Sequence, residues 1–433
     1  MRDLVLEAGA PGRDTDYVVV GATPDDMLEQ GFIRVGKAFP VFIHPETKAE
    51  YALARTETKI GEKHTDFSFC TTPDISMEQD ALRRDFTVNA LYVETDRLGD
   101  CDAILDPTGY GLADCSKRIL RHVGPSFRED PLRVLRAARF SAQLGFTVAD
   151  ETLAEMRSMT AEGMLAHLSR ERVDNEFLTA MAPGYDSRRF LEVMHACGAL
   201  QALYPEIADL HGCIEPLKYH ATGTTWNHVL SALDVARDES PEVKTALVYH
   251  DIYKPIAYRR RTQAGAYVLH DDQTAHAYLR QVLASKRFPA STKALCETAL
   301  RYHMRVWKVL MGMSIAKWVD TIDAITHGFR AEYAGVLDAV LAICRADALS
   351  DRGEAVDVTI FSEEGFATLA ECAHDTLRIC QGIHARVIEG YADLETDRLV
   401  ERVRQKRVDA VRVSVPFFAS CGPEERHTRE SNG

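Results

Sequence analysis

The sequence predicts an α+β protein, in which a small head of mixed sheet and helix precedes a neck and a rear region built from helices alone. Short runs of β-branched and aromatic residues bounded by turn residues occupy roughly the first 100 positions, as is typical of strands. From about Ser126 onward, apolar residues recur at the spacing of amphipathic helices. We therefore expect a head over residues 1–125, a neck over 126–215, a first rear domain over 216–350 and a helical tail over 351–433.

The head is expected to hold short strands joined by turns and one early helix. Tyr17–Val20 is a short β-branched run, and Thr23 followed by proline is a frequent start of a helix. Phe39–Ile43 and Glu50–Ala54 flank a short polar segment, which predicts a hairpin. Phe86–Tyr92 has the composition of a further strand.

The remaining chain is dominated by helical periodicity. The stretch from Gly212 to Gly223 is rich in loop residues and separates two helical regions, the second of which runs to about Cys421. The neck is expected to contain amphipathic helices at Arg128–Leu144, Asp150–Met159, Ser169–Met181 and Asp186–Leu203.

Composition excludes several classes of protein. Of the 433 residues, 46% are apolar and 27% are charged, which is ordinary for a soluble globular chain, and no apolar run is long enough to cross a membrane. The ten cysteines form no CxxC pair and the N-terminus lacks a signal sequence, so we expect a cytoplasmic protein with reduced thiols. The net charge of −14 does not favour nucleic-acid binding, but local clusters of arginine permit it.

Two carboxylates, Asp14 and Asp16, stand at the start of the first predicted strand. Side chains two positions apart share a strand face, so these carboxylates would repel one another unless a cation lay between them. Mg²⁺ prefers hard oxygen ligands of this kind together with substrate phosphates. The pair therefore predicts a magnesium site for phosphoryl chemistry, with Glu50 as an extra acid, although a solvated turn would show the same pattern.

Several segments around that pair match the motifs of one family, in the family's order, and cover residues 1–210. They are Asp14–Gly21, Val41–Pro45, Glu50–Glu57, Arg83–Leu91 and Glu129–Phe140. On these residues the chain resembles the class II tRNA nucleotidyltransferases, the CCA-adding enzymes, and in particular the bacterial multifunctional type with a fused HD phosphohydrolase domain.

The resemblance implies both an activity and its partners. The head would be a polymerase-β-like nucleotidyltransferase that adds and repairs the 3′-terminal CCA of tRNA from CTP and ATP, without a nucleic-acid template, and releases pyrophosphate. The protein would be a monomer or dimer that grips the tRNA acceptor arm and does not bind membranes.

The resemblance also implies specific roles for residues of the head. Asp14 and Asp16 would be the catalytic residues and would hold two Mg²⁺ ions. In the RRDxTxNA motif, Arg84 would contact the triphosphate, and Asp85 and Asn89 would lie near the sugar. The alternative for the same motif is a surface cluster of ion pairs with little effect on stability.

The start of the printed chain departs from the family's pattern. The family opens with a strand and a GGxVRD motif, whose glycines let the backbone approach the triphosphate. Arg2 and Asp3 match the end of that motif, which makes Arg2 a nucleotide-binding residue by resemblance, and Met1 falls on its valine. We expect one of two explanations. Either the first strand and both glycines lie upstream of the assigned start, or they are lost from the protein. Their loss would leave weak transferase activity or none.

By the same resemblance, the EDxxR motif would select the base. Asp130 and Arg133 are three positions apart in a predicted helix, so they share a face and offer acceptors and donors to the Watson–Crick edge of cytosine or adenine. Otherwise Asp130 would merely cap the helix, because Pro131 suits the first helical position. Arg136 and Arg139 are expected to bind triphosphate or tRNA phosphates, unless they form a solvated helix face.

A second group of histidines and acids lies in the predicted rear domain. Adjacent His250 and Asp251, with an earlier histidine and a later aspartate, resemble the HD phosphohydrolase superfamily, although chance proximity would look the same. Such ligands suit Mg²⁺ or a transition metal that activates water against a phosphoester; family analogy makes Ni²⁺ one candidate, and the ligand types leave the choice of metal open. The resemblance implies 2′,3′-cyclic phosphodiesterase, 2′-nucleotidase and phosphatase activities. The expected site residues are His228, His250, Asp251, Lys254, His270 and Asp347, with His276 and His303 as further candidates.

Three other functions fit parts of the same pattern. A bacterial poly(A) polymerase shares the head motif and would extend RNA without CTP. A tRNA-binding protein without catalysis would follow from loss of the first strand. A free-standing HD phosphatase would carry an inert head.

Overall fold

The structure of the protein is a computed structural model. It describes residues 2, 6, 16–35, 41–59, 67–70, 72–215, 217, 221–264, 273–350, 352–354, 356–389 and 394–419. Two expected site residues, Asp14 and His270, lie outside the described residues.

The chain divides into an α+β unit and a helical unit, which confirms the predicted fold class. The first unit comprises Met1–Phe177 and Arg189–Tyr204, and the second comprises Leu178–Arg188 and Pro205–Gly433. The division into four functional segments is finer than these two units and stays a prediction.

The strands of the described residues are short and all lie in the first unit. They are β1 (Tyr17–Val19), β2 (Ile33–Val35), β3 (Val41–Ile43), β4 (Glu50–Leu53), β5 (Thr56–Lys59), β6 (Phe67–Cys70), β7 (Ile119–Leu120) and β8 (Thr147–Val148).

The helices lengthen toward the rear of the chain. Through the neck they are α1 (Pro24–Glu29), α2 (Met77–Leu82), α3 (Gly111–Lys117), α4 (Leu132–Leu144), α5 (Asp150–Ala161), α6 (Arg170–Ala180), α7 (Ser187–Ala196) and α8 (Ala199–Leu203). They continue as α9 (Pro205–Ala208), α10 (Thr225–Val235), α11 (Pro241–Tyr249), α12 (Lys254–Ala264), α13 (Gln273–Ala284), α14 (Ala290–Trp307), α15 (Ile315–Ile325), α16 (Ala334–Ser350), α17 (Glu363–Gln381), α18 (Thr396–Ser414) and α19 (Pro416–Ala419).

The main sheet of the head has four strands in the order β1–β4–β3–β2. The antiparallel pairing of β3 with β4 confirms the predicted hairpin, and β4 lies parallel to β1. Met27 of α1 and the strand residues Phe42 and Leu53 form a common buried core. Thr23 caps α1 as predicted, because its hydroxyl accepts a hydrogen bond from the Asp26 amide at 3.2 Å.

The strand expected at Phe86–Tyr92 is wrong, because Thr87–Asn89 forms one turn of 3₁₀ helix. The Thr87 hydroxyl donates to the buried Asp114 carboxylate at 2.7 Å, and the Thr87 amide donates to the carbonyl of Arg121 at 3.0 Å. These tertiary hydrogen bonds outweigh the β-propensity of the segment, which composition alone does not anticipate.

The neck helices lie near their expected positions, with two differences. The first begins at Leu132 rather than at Arg128, because Pro125–Glu129 is a 3₁₀ turn. The helix expected over Asp186–Leu203 is two helices, α7 and α8. They divide at Gly198, whose φ of 79° lies in the left-handed region that ends helices.

Residues 178–188 belong to the helical unit, although the segments before and after them belong to the α+β unit. The buried Lys244 amine of α11 donates to the carbonyl oxygens of Ala182 at 2.7 Å and Tyr185 at 3.3 Å, and to the Ser187 hydroxyl at 3.3 Å. Burial lowers the pKa of this amine to about 8. These hydrogen bonds anchor the segment within the helical unit.

The core of the helical unit is built from α10, α11, α14 and α16, which pack on one another through buried apolar residues. His228 lies on α10, His250 follows the last residue of α11, His303 lies on α14 and Asp347 lies on α16. The packing of these helices therefore brings together residues that are far apart in the sequence. None of the described helices has the length and apolar character needed to span a membrane.

Candidate nucleotide and metal sites

Asp16 is exposed and immediately precedes β1, the outermost of the described strands in the head sheet. The parallel register pairs Tyr17 with Tyr51, so one further step sets Asp16 alongside Glu50, and both acids are exposed. Adjacent exposed carboxylates are suitable oxygen ligands for Mg²⁺. Because Asp14 is not among the described residues, the pairing of Asp14 with Asp16 stays a prediction.

Asp85 is the centre of a hydrogen-bonded group that joins several expected nucleotide-binding residues. Its Oδ1 accepts from the Phe86 amide at 2.9 Å and from Nδ2 of Asn89 at 3.0 Å. Its Oδ2 accepts from Nε and Nη2 of Arg136 at 2.8 and 2.6 Å. Arg2 donates to the side-chain oxygen of Asn89 at 2.6 Å. The structure therefore brings Arg2, Asp85, Asn89 and Arg136 together.

The charge balance of this group keeps Asp85 ionised. Burial would raise the pKa of the Asp85 carboxyl, but the charge of Arg136 and the hydrogen bonds from Asn89 and Arg136 outweigh burial and lower that pKa. Both carboxylate oxygens are engaged by protein donors, so Asp85 orients Arg136 and Asn89.

Asp80 holds side chains of the same region in place and was not predicted as a site residue from the sequence. Its fully buried carboxylate accepts from Nε of Arg83 at 2.8 Å, from Nε of Arg84 at 3.2 Å and from the Tyr92 hydroxyl at 2.8 Å. Arg84, the expected triphosphate contact, also donates to the carbonyl of Asn89 at 3.0 Å. The available signal was an aspartate followed three and four residues later by arginines at a helix end.

Asp130 precedes Pro131, the N-cap residue of α4, and lies outside the helix, so the expectation that it shares a helical face with Arg133 is wrong. Its backbone is extended, and its Oδ1 accepts from the Leu132 amide at 3.1 Å. Its Oδ2 accepts from Nη2 of Arg172 at 2.7 Å. The proline that follows keeps the chain out of helical geometry at this position, which the spacing of the motif did not reveal.

Arg133 is only 9% exposed, and its guanidinium faces the protein backbone. Nη1 donates to the carbonyl of Ser126 and Nη2 to the carbonyl of Arg83, each at 2.6 Å. These hydrogen bonds join the start of the neck to the RRDxTxNA segment. They also engage donors that a base-selecting arginine would need.

Arg139 belongs to a packed ion pair, so the alternative of a solvated helix face is wrong for this residue. Its side chain is 11% exposed, and its Nε donates to Oε2 of Glu176 at 2.5 Å. Its guanidinium also lies 4.2 Å from the centre of the Phe140 ring. A phosphate that binds here would compete with Glu176.

The rear unit gathers a compact set of imidazole and carboxylate groups. Oδ1 of Asp347 lies 2.9 Å from Nε2 of His228 and 3.4 Å from Nε2 of His250. Oδ2 of Asp251 lies 3.2 Å from Nε2 of His250. Ligand atoms of His228, His250 and Asp251 lie within 4.8 Å of one another, as do those of His250, His303 and Asp347.

The hydrogen bonds of the imidazoles suit metal binding. Nδ1 of His250 donates to the carbonyl of Leu247 at 2.6 Å, and Nδ1 of His303 donates to the carbonyl of Ala299 at 2.8 Å. A proton fixed on Nδ1 leaves the Nε2 lone pair directed at the cluster, which is how proteins commonly orient histidine ligands. The nitrogen and oxygen donors therefore fit a divalent cation.

The acids make the cluster strongly attractive to positive charge. Burial would lower the pKa of His250, but the charge of Asp251 and the hydrogen bonds to Asp251 and Asp347 raise it to about 10. Burial would raise the pKa of Asp347, but the hydrogen bonds from His228 and His250 lower it well below its usual value. A bound cation would satisfy the same carboxylates that otherwise hold a proton on His250.

Lys254 lies beside the cluster as expected from its position after Asp251. Its amine donates to Oδ2 of Asp251 at 2.7 Å and to Oε1 of Glu215 at 2.9 Å. Glu215 is buried and also accepts from the Thr225 hydroxyl at 2.5 Å. Glu215 was not predicted as a site residue, because nothing in the sequence around Glu215 connects this residue with α12.

The remaining histidine candidates of the rear unit have different positions relative to the cluster. His303 joins the cluster, with Nε2 at 3.9 Å from Oδ1 of Asp251. His276 lies elsewhere, since its Nε2 is 3.0 Å from Oε2 of Glu297 and it is in no metal-binding group of the described residues. His270 lies outside the described residues.

Two family models match the first half of the chain. Residues 1–121 match the poly A polymerase head domain, and residues 145–210 match a probable RNA and SrmB-binding site of polymerase A. The first match covers the four-stranded sheet and Arg2, Asp85 and Asn89, the second covers most of the neck helices, and Arg136 on α4 lies between the two matches.

Similarity to individual proteins extends over nearly the whole chain. The multifunctional CCA protein of Nitrosococcus oceani is 37% identical over 421 residues, which are 96% of this chain and 97% of that protein. A CCA-adding enzyme in complex with ATP has a similar fold, with a TM-score of 0.56 over 95% of this chain and 83% of that one at 14% identity. The Thermotoga maritima CCA-adding enzyme complexed with tRNA gives a TM-score of 0.57 over 100% of this chain and 89% of that one at 13% identity. The chain therefore belongs to the family of multifunctional CCA proteins, the class II CCA-adding tRNA nucleotidyltransferases.

Proposed function

We propose that this protein adds and repairs the CCA end of tRNA from CTP and ATP. The observation that carries the proposal is the 37% identity to a multifunctional CCA protein along nearly the whole chain. The arginine and carboxylate group around Asp85 supports it, because ordered guanidinium groups are suited to triphosphates. The same family membership supports an acceptor arm of tRNA as the partner of the helical segments.

The residues of the head would have separate roles in an in-line transfer of a nucleotidyl group. The tRNA 3′-hydroxyl attacks the α-phosphate of the nucleotide, the new phosphodiester bond forms, and pyrophosphate leaves. Mg²⁺ ions held by Asp14 and Asp16 would activate the hydroxyl and neutralise the triphosphate. Arg2, Arg84 and Arg136 would bind the phosphates.

The proposal predicts a defined product. A tRNA that lacks its CCA end should gain CC with CTP alone, CCA with CTP and ATP, and no nucleotide with ATP alone, as read on a sequencing gel. ATP-dependent tailing without CTP would instead identify a poly(A) polymerase. Binding of tRNA without incorporation of any nucleotide would leave only the binding function.

We also propose a metal-dependent phosphohydrolase in the rear unit. Its support is the convergence of His228 on α10, the adjacent pair His250 and Asp251 after α11, and Asp347 on α16, with imidazole nitrogens and carboxylate oxygens close to one another. The expected substrates are 2′,3′-cyclic nucleotides, 2′-nucleotides and phosphomonoesters. His228, His250, Asp251 and Asp347 would hold a divalent ion, which would supply the activation of water for attack on the phosphoester.

Lys254 has a defined place in that reaction. Its amine donates to both Asp251 and Glu215, so it holds the Asp251 carboxylate in a fixed position. Lys254 would therefore act by orienting a carboxylate of the proposed metal site.

Removal of the metal separates the two proposed activities. Dialysis against a chelator should abolish hydrolysis of 2′,3′-cyclic AMP, and addition of Ni²⁺, Co²⁺, Mn²⁺ or Mg²⁺ one at a time should show which ion restores it. CMP addition in the presence of Mg²⁺ should be the same before and after the treatment. Full hydrolysis by protein shown by mass spectrometry to be metal-free would contradict the proposed site.

A further inference from the structure

Asp80 divides its two carboxylate oxygens between the two arginines that follow α2. Oδ1 accepts from Nε of Arg83 at 2.8 Å, and Oδ2 accepts from Nε and Nη2 of Arg84 at 3.2 Å each. The Asp80 side chain is fully buried, whereas those of Arg83 and Arg84 are 16% and 28% exposed. Arg84 is therefore the most exposed side chain of the three, and it is held by a carboxylate that solvent does not reach.

Tyr92 contacts both Asp80 and Arg84. Its hydroxyl donates to Oδ2 of Asp80 at 2.8 Å, and the centre of its ring lies 4.8 Å from the guanidinium carbon of Arg84. The backbone of Tyr92 is itself fixed, because its amide and carbonyl exchange hydrogen bonds with Leu105 at 3.0 and 2.8 Å. Nη1 of Arg84 also donates to the carbonyl of Asn89 at 3.0 Å. Hydrogen bonds therefore restrain the Arg84 guanidinium in its plane, and the Tyr92 ring restrains it on one face.

The charges of this group favour an anion. Burial would raise the pKa of the Asp80 carboxyl, but the charges of Arg83 and Arg84 and the hydrogen bond from Tyr92 outweigh burial and lower that pKa. Burial raises the pKa of the Tyr92 hydroxyl, so this hydroxyl stays a hydrogen-bond donor. One carboxylate charge between two guanidinium charges leaves a net positive charge on the three side chains.

An arginine that is already ordered binds phosphate more tightly than a mobile one, because less side-chain entropy is lost on binding. We propose that Asp80 and Tyr92 are positioning residues for the nucleotide triphosphate, which hold the Arg84 guanidinium ready for the phosphates without touching the nucleotide themselves. This inference rests on the proposed nucleotidyltransferase function and on the expected contact of Arg84 with the triphosphate. It assigns a role in substrate affinity to two residues outside the RRDxTxNA motif.

The affinity for CTP relative to that for CMP isolates this role, because CMP lacks the β- and γ-phosphates. In calorimetry with Mg²⁺, the preference for CTP over CMP should fall by about tenfold in Asp80→Asn and by about threefold in Tyr92→Phe, which keeps the ring and loses only the hydroxyl. Tyr92→Phe gives the same comparison if Asp80→Asn fails to fold. Equal losses of affinity for CTP and CMP would indicate a structural role alone and overturn the proposal. A gain in CTP affinity in Asp80→Asn would show that the carboxylate competes with the triphosphate for Arg84, and would also overturn it.

A double-mutant cycle tests whether Asp80 acts through Arg84. Arg84→Ala alone should lower the preference for CTP over CMP, and the further change Asp80→Asn should lower it no more, because the group that Asp80 positions is already gone. Losses that add in the double variant, or an unchanged preference in Arg84→Ala, would contradict the proposal.

Asp114→Asn is the matched control for Asp80→Asn. Asp114 is likewise a buried aspartate of the head that accepts from an arginine and a hydroxyl, namely Nε of Arg121 at 3.0 Å and the hydroxyl of Thr87 at 2.7 Å. Its replacement also removes a buried hydrogen-bonded carboxylate, so it should lower the melting temperature by a similar amount but keep the wild-type preference for CTP over CMP. The same loss of preference in Asp114→Asn would reduce Asp80 to a structural support. A wild-type protein that adds no nucleotide to truncated tRNA would refute the proposed function, whereas CCA addition with an unchanged preference in Asp80→Asn and Tyr92→Phe would refute only this inference.

Discussion

Replacement of Asp16 by alanine is expected to lower CMP addition to truncated tRNA by about a hundredfold or more, because it removes a proposed ligand of the Mg²⁺ that would neutralise the charge developing on the leaving pyrophosphate. Asp16 precedes β1, and its carboxylate is exposed beside that of Glu50 across the parallel strand pair. Nothing in the described core depends on this side chain. The loss should therefore be catalytic, with an unchanged thermal melting temperature.

Asp25→Ala is the matched control for Asp16→Ala. Asp25 is also an exposed aspartate of the head, but it lies in the first turn of α1. Its replacement should leave CMP addition within about twofold of the wild type, since surface changes of this kind are usually small. Equal activity of Asp16→Ala and Asp25→Ala would refute the assignment of Asp16 as a metal ligand.

Replacement of His250 by alanine is expected to lower hydrolysis of 2′,3′-cyclic AMP by about a hundredfold or more and to reduce the metal content measured by mass spectrometry. His250 is fully buried, and its Nε2 is the atom shared by the contacts to Asp251, Asp347 and His228. CMP addition should be retained, because the expected transferase residues belong to the other unit.

A buried histidine can also matter for folding, so a second variant accompanies His250→Ala. Asp347→Asn keeps the shape of the side chain but removes one negative charge, and its melting temperature and hydrolysis should be measured together. His374→Ala, which changes an exposed histidine of the same unit paired with Asp338, should keep both activities. Retained metal and hydrolysis in a folded Asp347→Asn protein would contradict the proposed ligand set.

The sequence alone was sufficient for much of the fold. The change from strand-like runs to helical spacing correctly predicted an α+β head and a helical remainder, and the hairpin between β3 and β4 and the Thr23 cap were confirmed. These features are local, because propensity, spacing and capping depend on neighbouring residues. The ordered motifs likewise identified the family to which the chain belongs.

Local patterns failed where long-range contacts decide the structure. The segment Phe86–Tyr92 has strand composition but becomes a 3₁₀ turn, because Thr87 bonds to Asp114 across 27 positions. The helix expected over Asp186–Leu203 divides at Gly198. The first difference depends on a tertiary contact, whereas the second is a local glycine signal that the helical spacing concealed.

The site residues show the same limit most clearly. The sequence determined which chemical groups are available: carboxylates for Mg²⁺, arginines for phosphates, and histidines with acids for a second metal. Only the tertiary structure decided which of them meet. Asp80 and Glu215 are buried acids that hold neighbouring side chains in place. Asp130 accepts a hydrogen bond from Arg172. His303 lies in the same cluster as His250, whereas His276 pairs with Glu297 instead. The physical reason is that hydrogen bonds and ion pairs depend on distances of about 3 Å, and those distances are set by the packing of helices remote in the chain.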